Sequence, residues 1–394
     1  MSPHLFDRIM QSVVKSDPIF FSLRIDAFSK TGISPLQRCT AALRLLAYGS
    51  AADACDEYIR ISETSAILSM YAFCKGVVEA FEDEYLRGPT AEDTQRLLSD
   101  NAARGFPGML GSIDCMHWQW NNCPSAHHGQ YIGKDKTPTI VLEAIASQDL
   151  WIWHAFFRTP GSCNDINIID RSPLVTNMLL GTSPPCAWEL DGERRTSGYW
   201  LADGIYPRWP IFIQSFTEPQ GLKRQNFATK QEAARKDIER AFGVLQARFH
   251  ILCRPSRMWY HERMAVVMRA CIIMHNMIVE EQRVTPLELA EEDLAEVVQL
   301  QSVEAGEDTD GSAGGNAPDD SVAGIIERLK ILKDEADHEM LRNKLIEHLW
   351  QWKGNNEYGG FVFLFLYVSF PRGFIYLLLF LFGFRWFCFR HSAA

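Results

Sequence analysis

The chain has 394 residues, 47 % of them hydrophobic and 22 % charged, with a formal net charge of -10. Those fractions belong to a soluble globular protein, and the length allows a large core and two or three structural units. An evenly spread negative charge would argue against nucleic acid, but the spread is uneven. Residues 281–320 hold twelve acidic residues against Arg283 alone, whereas residues 221–263 hold ten Lys or Arg against Glu232, Asp237, Glu239 and Glu262. Basic charge gathered in one segment is the footprint of a surface that meets phosphates.

The ten cysteines form no C-x-x-C pair and show no regular spacing, as in an intracellular protein with reduced thiols. Cys115, His117, Cys123 and His127 crowd into one stretch whose spacing matches no zinc module. The N-terminus carries no basic stretch followed by an apolar one, so no signal peptide is expected.

Residues 1–104 read as a helical, helix-turn-helix-like domain. Ser34 and Pro35 mark one helix start and Gly49 its stop, a second short helix follows, and a third begins after Ser62. Residues 34–80 carry four basic and five acidic side chains, a poor phosphate surface, so a packing or partner-docking module is expected rather than an autonomous DNA reader.

The turn Gly105-Phe106-Pro107-Gly108 opens a second unit, residues 105–282. Met109 leads an apolar run that ends in Asp114, and two strand-like runs follow on either side of Gln148-Asp149. Asn164 or Asp165 can cap a helix running toward Leu180. Tyr199 leads another apolar run that ends in Asp203, Ile211-Phe212-Ile213 reads as a strand, and a helix follows. In that helix Ala234, Ile238, Phe242, Leu245 and Phe249 form an apolar stripe, with Glu239 one step off it beside Gly243. Two buried strand ends carrying Asp beside Glu239 would repel one another unless cations lay between them. Oxygen-only ligands suit magnesium or manganese.

Residues 283–324 are acidic and then Gly/Ser/Ala/Asp-rich, the composition of a flexible linker. Residues 325–355 return to helical periodicity as an amphipathic docking helix. Residues 361–389 are almost wholly apolar and aromatic, interrupted by Pro371, Arg372 and Arg385. Their length suits a membrane span, although proline and arginine argue for a poor one. The competing reading is a gene-model artefact, sequence translated from outside the original gene.

Four blocks of residues resemble, in order, those of PIF/Harbinger-type transposases, in particular the plant transposon protein branch. They are Gly111-Ser112-Ile113-Asp114-Cys115-Met116-His117-Trp118, Pro160-Gly161-Ser162-Cys163-Asn164-Asp165-Ile166-Asn167, Leu201-Ala202-Asp203-Gly204-Ile205-Tyr206-Pro207 and the helical run from Lys236 to Phe249. Ile273-Met274-His275-Asn276-Met277 resembles a further block. The resemblance implies an α/β fold, an RNase H-like mixed sheet flanked by helices, with Asp114, Asp203 and Glu239 as a DDE catalytic triad holding two Mg²⁺ or Mn²⁺ ions. It implies a transposase: a DNA endonuclease and strand-transferase, one ion activating the nucleophile and the other stabilising the leaving oxygen.

On the same basis Lys223, Arg224, Arg235, Lys236, Arg240 and Arg248 are candidate DNA contacts. Asp165, read first as a helix cap, and His117, read first as a strand-end packing residue, are accessory candidates. The expected partners are DNA, both transposon ends and target, and a separately encoded Myb-like DNA-binding protein, with room for a homo-oligomer. The expected location is the nucleus, or a membrane if residues 361–389 are a genuine anchor. The rival reading is a domesticated, inactive DNA- or chromatin-associated interaction protein of the same fold.

Overall fold

The computed structural model describes all residues except 26, 134–135, 164–167, 170, 181–185, 299–321, 359–363, 370–374 and 381–394, and backbone alone for 284–298, 322–323, 355–358, 364–369 and 375–380. The N-terminal helices are α1 Pro3–Ser16, α2 Pro18–Phe21, α3 Pro35–Tyr48, α4 Ala54–Ile59, α5 Glu63–Tyr85 and α6 Ala91–Ala103. Ser34 caps α3 by accepting from the Gln37 backbone N–H while the Gln37 side chain reaches back to the Ser34 N–H, and Gly49 ends the helix at φ 56°. That conformation costs a side-chain residue more than glycine, so the helix stops where the sequence predicts.

The centre is a five-stranded sheet in the order β3-β2-β1-β6-β7, with β1 Met109–Gln119, β2 Thr139–Ala146, β3 Ile152–Pro160, β6 Tyr199–Ala202 and β7 Phe212–Gln214. β1, β2 and β3 run antiparallel, whereas β6 and β7 lie parallel to β1. This is the RNase H-like mixed sheet expected. Helix α7 His128–Tyr131 lies between β1 and β2, and between β3 and β6 come helix α8 Pro173–Leu179 and a two-stranded hairpin, β4 Trp188–Leu190 with β5 Glu193–Arg195.

Two long helices cover the sheet: α9 Leu222–Arg248 and α10 His261–Val298. The acidic segment 283–324 therefore begins inside α10, and its middle lies outside the described residues. Two further helices follow, α11 Val322–Leu332 and α12 Glu335–Tyr358. Leu341, Leu345, Ile346 and Leu349 of α12 pack in one buried cluster with Tyr199, Leu201, Ile213, Phe227 and Ala234, so α12 is docked against β6, β7 and α9. A larger cluster joins α1, α3 and α5 to α10 and the sheet. Asn276 fixes that junction: its side chain donates to the Tyr85 and Ile152 carbonyls and accepts from the Ile152 N–H.

Within the hydrophobic tail, β8 Leu364–Ser369 pairs antiparallel with β9 Ile375–Phe380. Over these two segments the backbone is strand and not helix, as their aromatic and aliphatic runs favour. Among the described residues no helix is long and apolar enough to cross a membrane.

Candidate active site

Asp114 sits in the middle of β1, where alternation places Ser112, Asp114 and Met116 on one face. The Ser112 hydroxyl donates to the Ala234 carbonyl of α9, 3.2 Å away, so that face lies under the helix. Ser112 pairs in register with Leu201 of β6, and continuing the register two residues brings Asp203 level with Asp114. Because β6 ends at Ala202, β1 has no strand neighbour on that side beyond Ser112. The site opens through this gap. Asp203 is exposed at its rim and accepts from the Gly204 N–H at 2.5 Å.

Arg235 closes the arrangement from above. Its guanidinium lies 3.0 Å from the Asp114 carboxylate and 2.8 Å from that of Glu239, one helical turn further along α9. Asp114 is 23 % exposed and Glu239 45 %. Burial raises the Asp114 carboxyl above its ordinary range; the Glu239 and Asp203 charges push the same way, against the Cys115 N–H and Arg235. Three carboxylates close enough to feel one another are thus assembled from β1, the end of β6 and α9. Among the described residues no three His, Cys, Asp or Glu side chains are placed to grip a metal ion, which also leaves no zinc group at Cys115, His117, Cys123 and His127. The donor set nonetheless fits a hard divalent cation: it is all oxygen, one member is largely buried, and a positive group already bridges two of the three.

The six cations proposed for DNA are placed less uniformly. Lys223 pairs with Glu347 of α12 at 2.6 Å, and Arg224 stacks over Phe216. Arg240 pairs with Asp237 at 2.7 Å, and Arg248, half-buried, donates to Nδ1 and the carbonyl of His275 and to Gln282. Arg235 faces the carboxylates, and Lys236, like Arg224, is exposed without an ion pair among the described residues. His117 has opposite parity to Asp114 on β1 and is exposed, with its Nδ1 2.9 Å from the Thr139 hydroxyl. Asp165 lies outside the described residues.

Sequence reasoning missed two buried acids. Asp237, 3 % exposed, is clamped between Arg104 at 2.6 Å and Arg240, which fixes α9 over the sheet. Glu143 of β2, fully buried, accepts from the Ser172 hydroxyl at 2.5 Å and has His154 Nε2 at 2.9 Å. Glu143 interrupts an otherwise apolar strand run, which was its only signal.

The model of one protein family, described as plant transposon protein, matches residues 83–285, from the end of α5 into α10. The chain belongs to the plant transposon protein family. Asp114, Asp203 and Glu239 all lie within the matched span of this transposon-protein chain. It is 24 % identical over 296 residues to "Protein ALP1-like" of Arabidopsis thaliana, covering 71 % of this chain and 69 % of that protein. It is 23 % identical over 252 residues to the human protein named "Putative nuclease HARBI1", covering 63 % of this chain and 68 % of that one. No solved structure matches it.

Proposed function

We propose that this member of the plant transposon protein family is a metal-dependent DNA nuclease of the Harbinger transposase type, acting on phosphodiester bonds by hydrolysis and strand transfer. The observation that carries the reading is the convergence of Asp114, Asp203 and Glu239 around one cationic group at the open edge of β1. The name of the human relative, a nuclease, supports it.

Asp114, Asp203 and Glu239 would hold two Mg²⁺ or Mn²⁺ ions, which supply Lewis-acid stabilisation and a more acidic bound water. Asp114 contributes the buried oxygen, kept in place by the Cys115 N–H at 2.8 Å. Asp203 and Glu239 stand at the solvent side, where a phosphate approaches. Gly243, one turn beyond Glu239, leaves that approach open: a Cβ added there would meet no atom within 4 Å. Arg235 holds two of the acids together against their mutual repulsion until a cation arrives.

DNA is the proposed substrate and the nucleus the proposed location. The α3–α5 unit exposes Leu36, Tyr48, Tyr58 and Leu68, apolar surface suited to the separate Myb-like DNA-binding protein proposed as partner. Incubating the full chain with plasmid DNA tests the nuclease reading. Nicking in Mg²⁺ or Mn²⁺ but not in EDTA is expected, and intact plasmid under all three conditions would contradict it. One observation favours the rival, a domesticated interaction protein: Arg235 fills the space between Asp114 and Glu239 where a metal would sit. Calorimetric Mn²⁺ titration separates the two, because the rival predicts no heat that depends on Asp114.

A further inference from the structure

The cations of α9 are largely spent on partners within the chain, yet a nuclease must hold a polyanion. Unpaired positive charge is found elsewhere, on the loop that follows α9 through the short 3-10 turn His250–Cys253. Arg254 and Arg257 are exposed on it and make no ion pair among the described residues. Beside them Trp259 and Tyr260 are 67 % and 62 % exposed. Arg263 lies over one face of the Tyr260 ring, 5.6 Å from its centroid, and Trp259 has no such partner among the described residues.

The loop is held mainly by its backbone, with Met258 packed against the core. The buried indoles of Trp118 and Trp120 donate to the carbonyls of Arg254 and Met258 at 2.9 and 2.7 Å, and the Asn122 amide donates to the Arg257 carbonyl at 2.6 Å. Ser256 adds a parallel bridge to the end of β1, its N–H donating to Gln119 O and its carbonyl accepting from Asn121 N–H. Fixing main-chain atoms in this way positions the loop while the Arg254, Arg257, Trp259 and Tyr260 side chains stay exposed. A cavity of about 390 Å³ lined by His117, Gln119, Thr139, Gln246, Cys253 and Arg254 lies between the ends of β1 and β2 and this loop. The loop pairs with β1 on the side away from β2, the same side on which β6 pairs no further than Ser112.

We propose that Arg254, Arg257, Trp259 and Tyr260 form a second DNA-contact site, a platform that grips DNA flanking the reacting phosphate, the guanidinium groups on phosphates and the aromatic pair on unstacked bases. Guanidinium groups on a phosphate backbone fix position without reading sequence, and aromatic faces accept any base. The strand gives the reach. Gln119 lies five residues beyond Asp114, roughly 17 Å at about 3.3 Å per residue, or about five nucleotides at roughly 3.4 Å each. The proposal rests on the nuclease reading for the path of the DNA alone.

The test is fluorescence anisotropy of the full chain in EDTA with three labelled probes: a blunt duplex, the same duplex with a five-nucleotide single-stranded tail, and the single strand. In EDTA, binding is read apart from the metal-dependent cleavage. Trp259→Ala/Tyr260→Ala should weaken the tailed and single-stranded probes about tenfold or more while affecting the blunt duplex less. Arg254→Gln/Arg257→Gln should weaken all three and lower the salt-dependence slope by about two. Affinities within twofold of wild type for both pairs overturn the proposal, as does loss of self-association or of a protein partner with DNA binding intact. If a double variant melts early, the corresponding single variants carry the same expectation at smaller size. Loss of binding in these variants of a protein that never cuts DNA would sustain the platform and defeat only the nuclease reading.

Discussion

Arg235 lies 3.0 Å from Asp114 and 2.8 Å from Glu239, so the strongest positive charge near the three acids belongs to the protein itself. A divalent ion entering the site has to displace that guanidinium from at least one carboxylate. Arg235→Gln removes the competitor and leaves the acids facing one another, so it should bind Mn²⁺ about tenfold more tightly, a change of about 1.4 kcal/mol. The metal-free variant should also melt lower and regain more on adding Mn²⁺. Isothermal titration measures the first effect and scanning calorimetry the second; weaker metal binding in the variant would show that Arg235 supports the metal instead of competing with it.

The buried member of the triad sets a pH signature. Burial, reinforced by Glu239 and Asp203, raises the folded-state pKa of Asp114. A raised acid favours the fold most while protonated, below its ordinary value of about 4, and that contribution is lost as pH rises through the folded-state value. Asp114→Asn stays neutral throughout. Its melting temperature at pH 7 should equal or exceed that of wild type without metal, with the gap closing on acidification. A variant that is less stable at pH 7 would show that the Arg235 pairing outweighs the burial cost.

Asp149, in the turn between β2 and β3, has the opposite sign. Burial pushes it up, but the Ser147 hydroxyl, Arg283 and Arg96 outweigh burial and hold the carboxyl below its ordinary value. Such a group contributes stability above the ordinary carboxylate value, and loses it as pH falls through the folded-state value. Asp149→Asn should cost about 2 kcal/mol at pH 7, because it leaves two arginines facing a neutral group in a partly buried site. Urea melts at pH 7 and pH 3 should show the difference shrinking in acid.

Gly243 distinguishes structural from functional use of one residue. In the interior of α9 a glycine costs about 0.5–1 kcal/mol relative to alanine, and an added Cβ meets nothing within 4 Å. Gly243→Ala should therefore raise thermal stability by that amount. If DNA approaches the helix beside Glu239, the same change should lower cleavage at saturating metal. A variant that is both more stable and fully active would mean that DNA does not approach there.

The chain order of the sheet strands was legible, as was the nearness of Asp114 to Asp203, because an apolar run ending in Asp is an exception that local pattern exposes. The extent of β1 was not. Asp114 and His117 break its apolar pattern, so the run read as ending at Asp114, whereas the strand continues to Gln119 on hydrogen bonds to β2. The start of α9 at Leu222 was hidden for a related reason. Its first turns are polar, and Phe227 and Asn226 there meet α12, more than a hundred residues later. Partner choice is also non-local: Lys223 with Glu347 and Arg248 with Gln282 cannot be inferred from spacing. Those pairings engage Lys223 and Arg248 within the chain, whereas Arg254 and Arg257, like Lys236, are exposed without an ion pair among the described residues.

The central claim is that Asp114, Asp203 and Glu239 act as one metal-dependent nuclease centre. It is tested most directly by Mn²⁺-dependent plasmid nicking with Asp114→Ala, Asp203→Ala and Glu239→Ala, beside Glu232→Ala as a control on the exposed face of the same helix. Each of the first three should fall at least about a thousandfold in rate, a loss of about 4 kcal/mol in transition-state stabilisation, with Glu232→Ala close to wild type. Wild-type nicking retained in any one of the three would contradict the account.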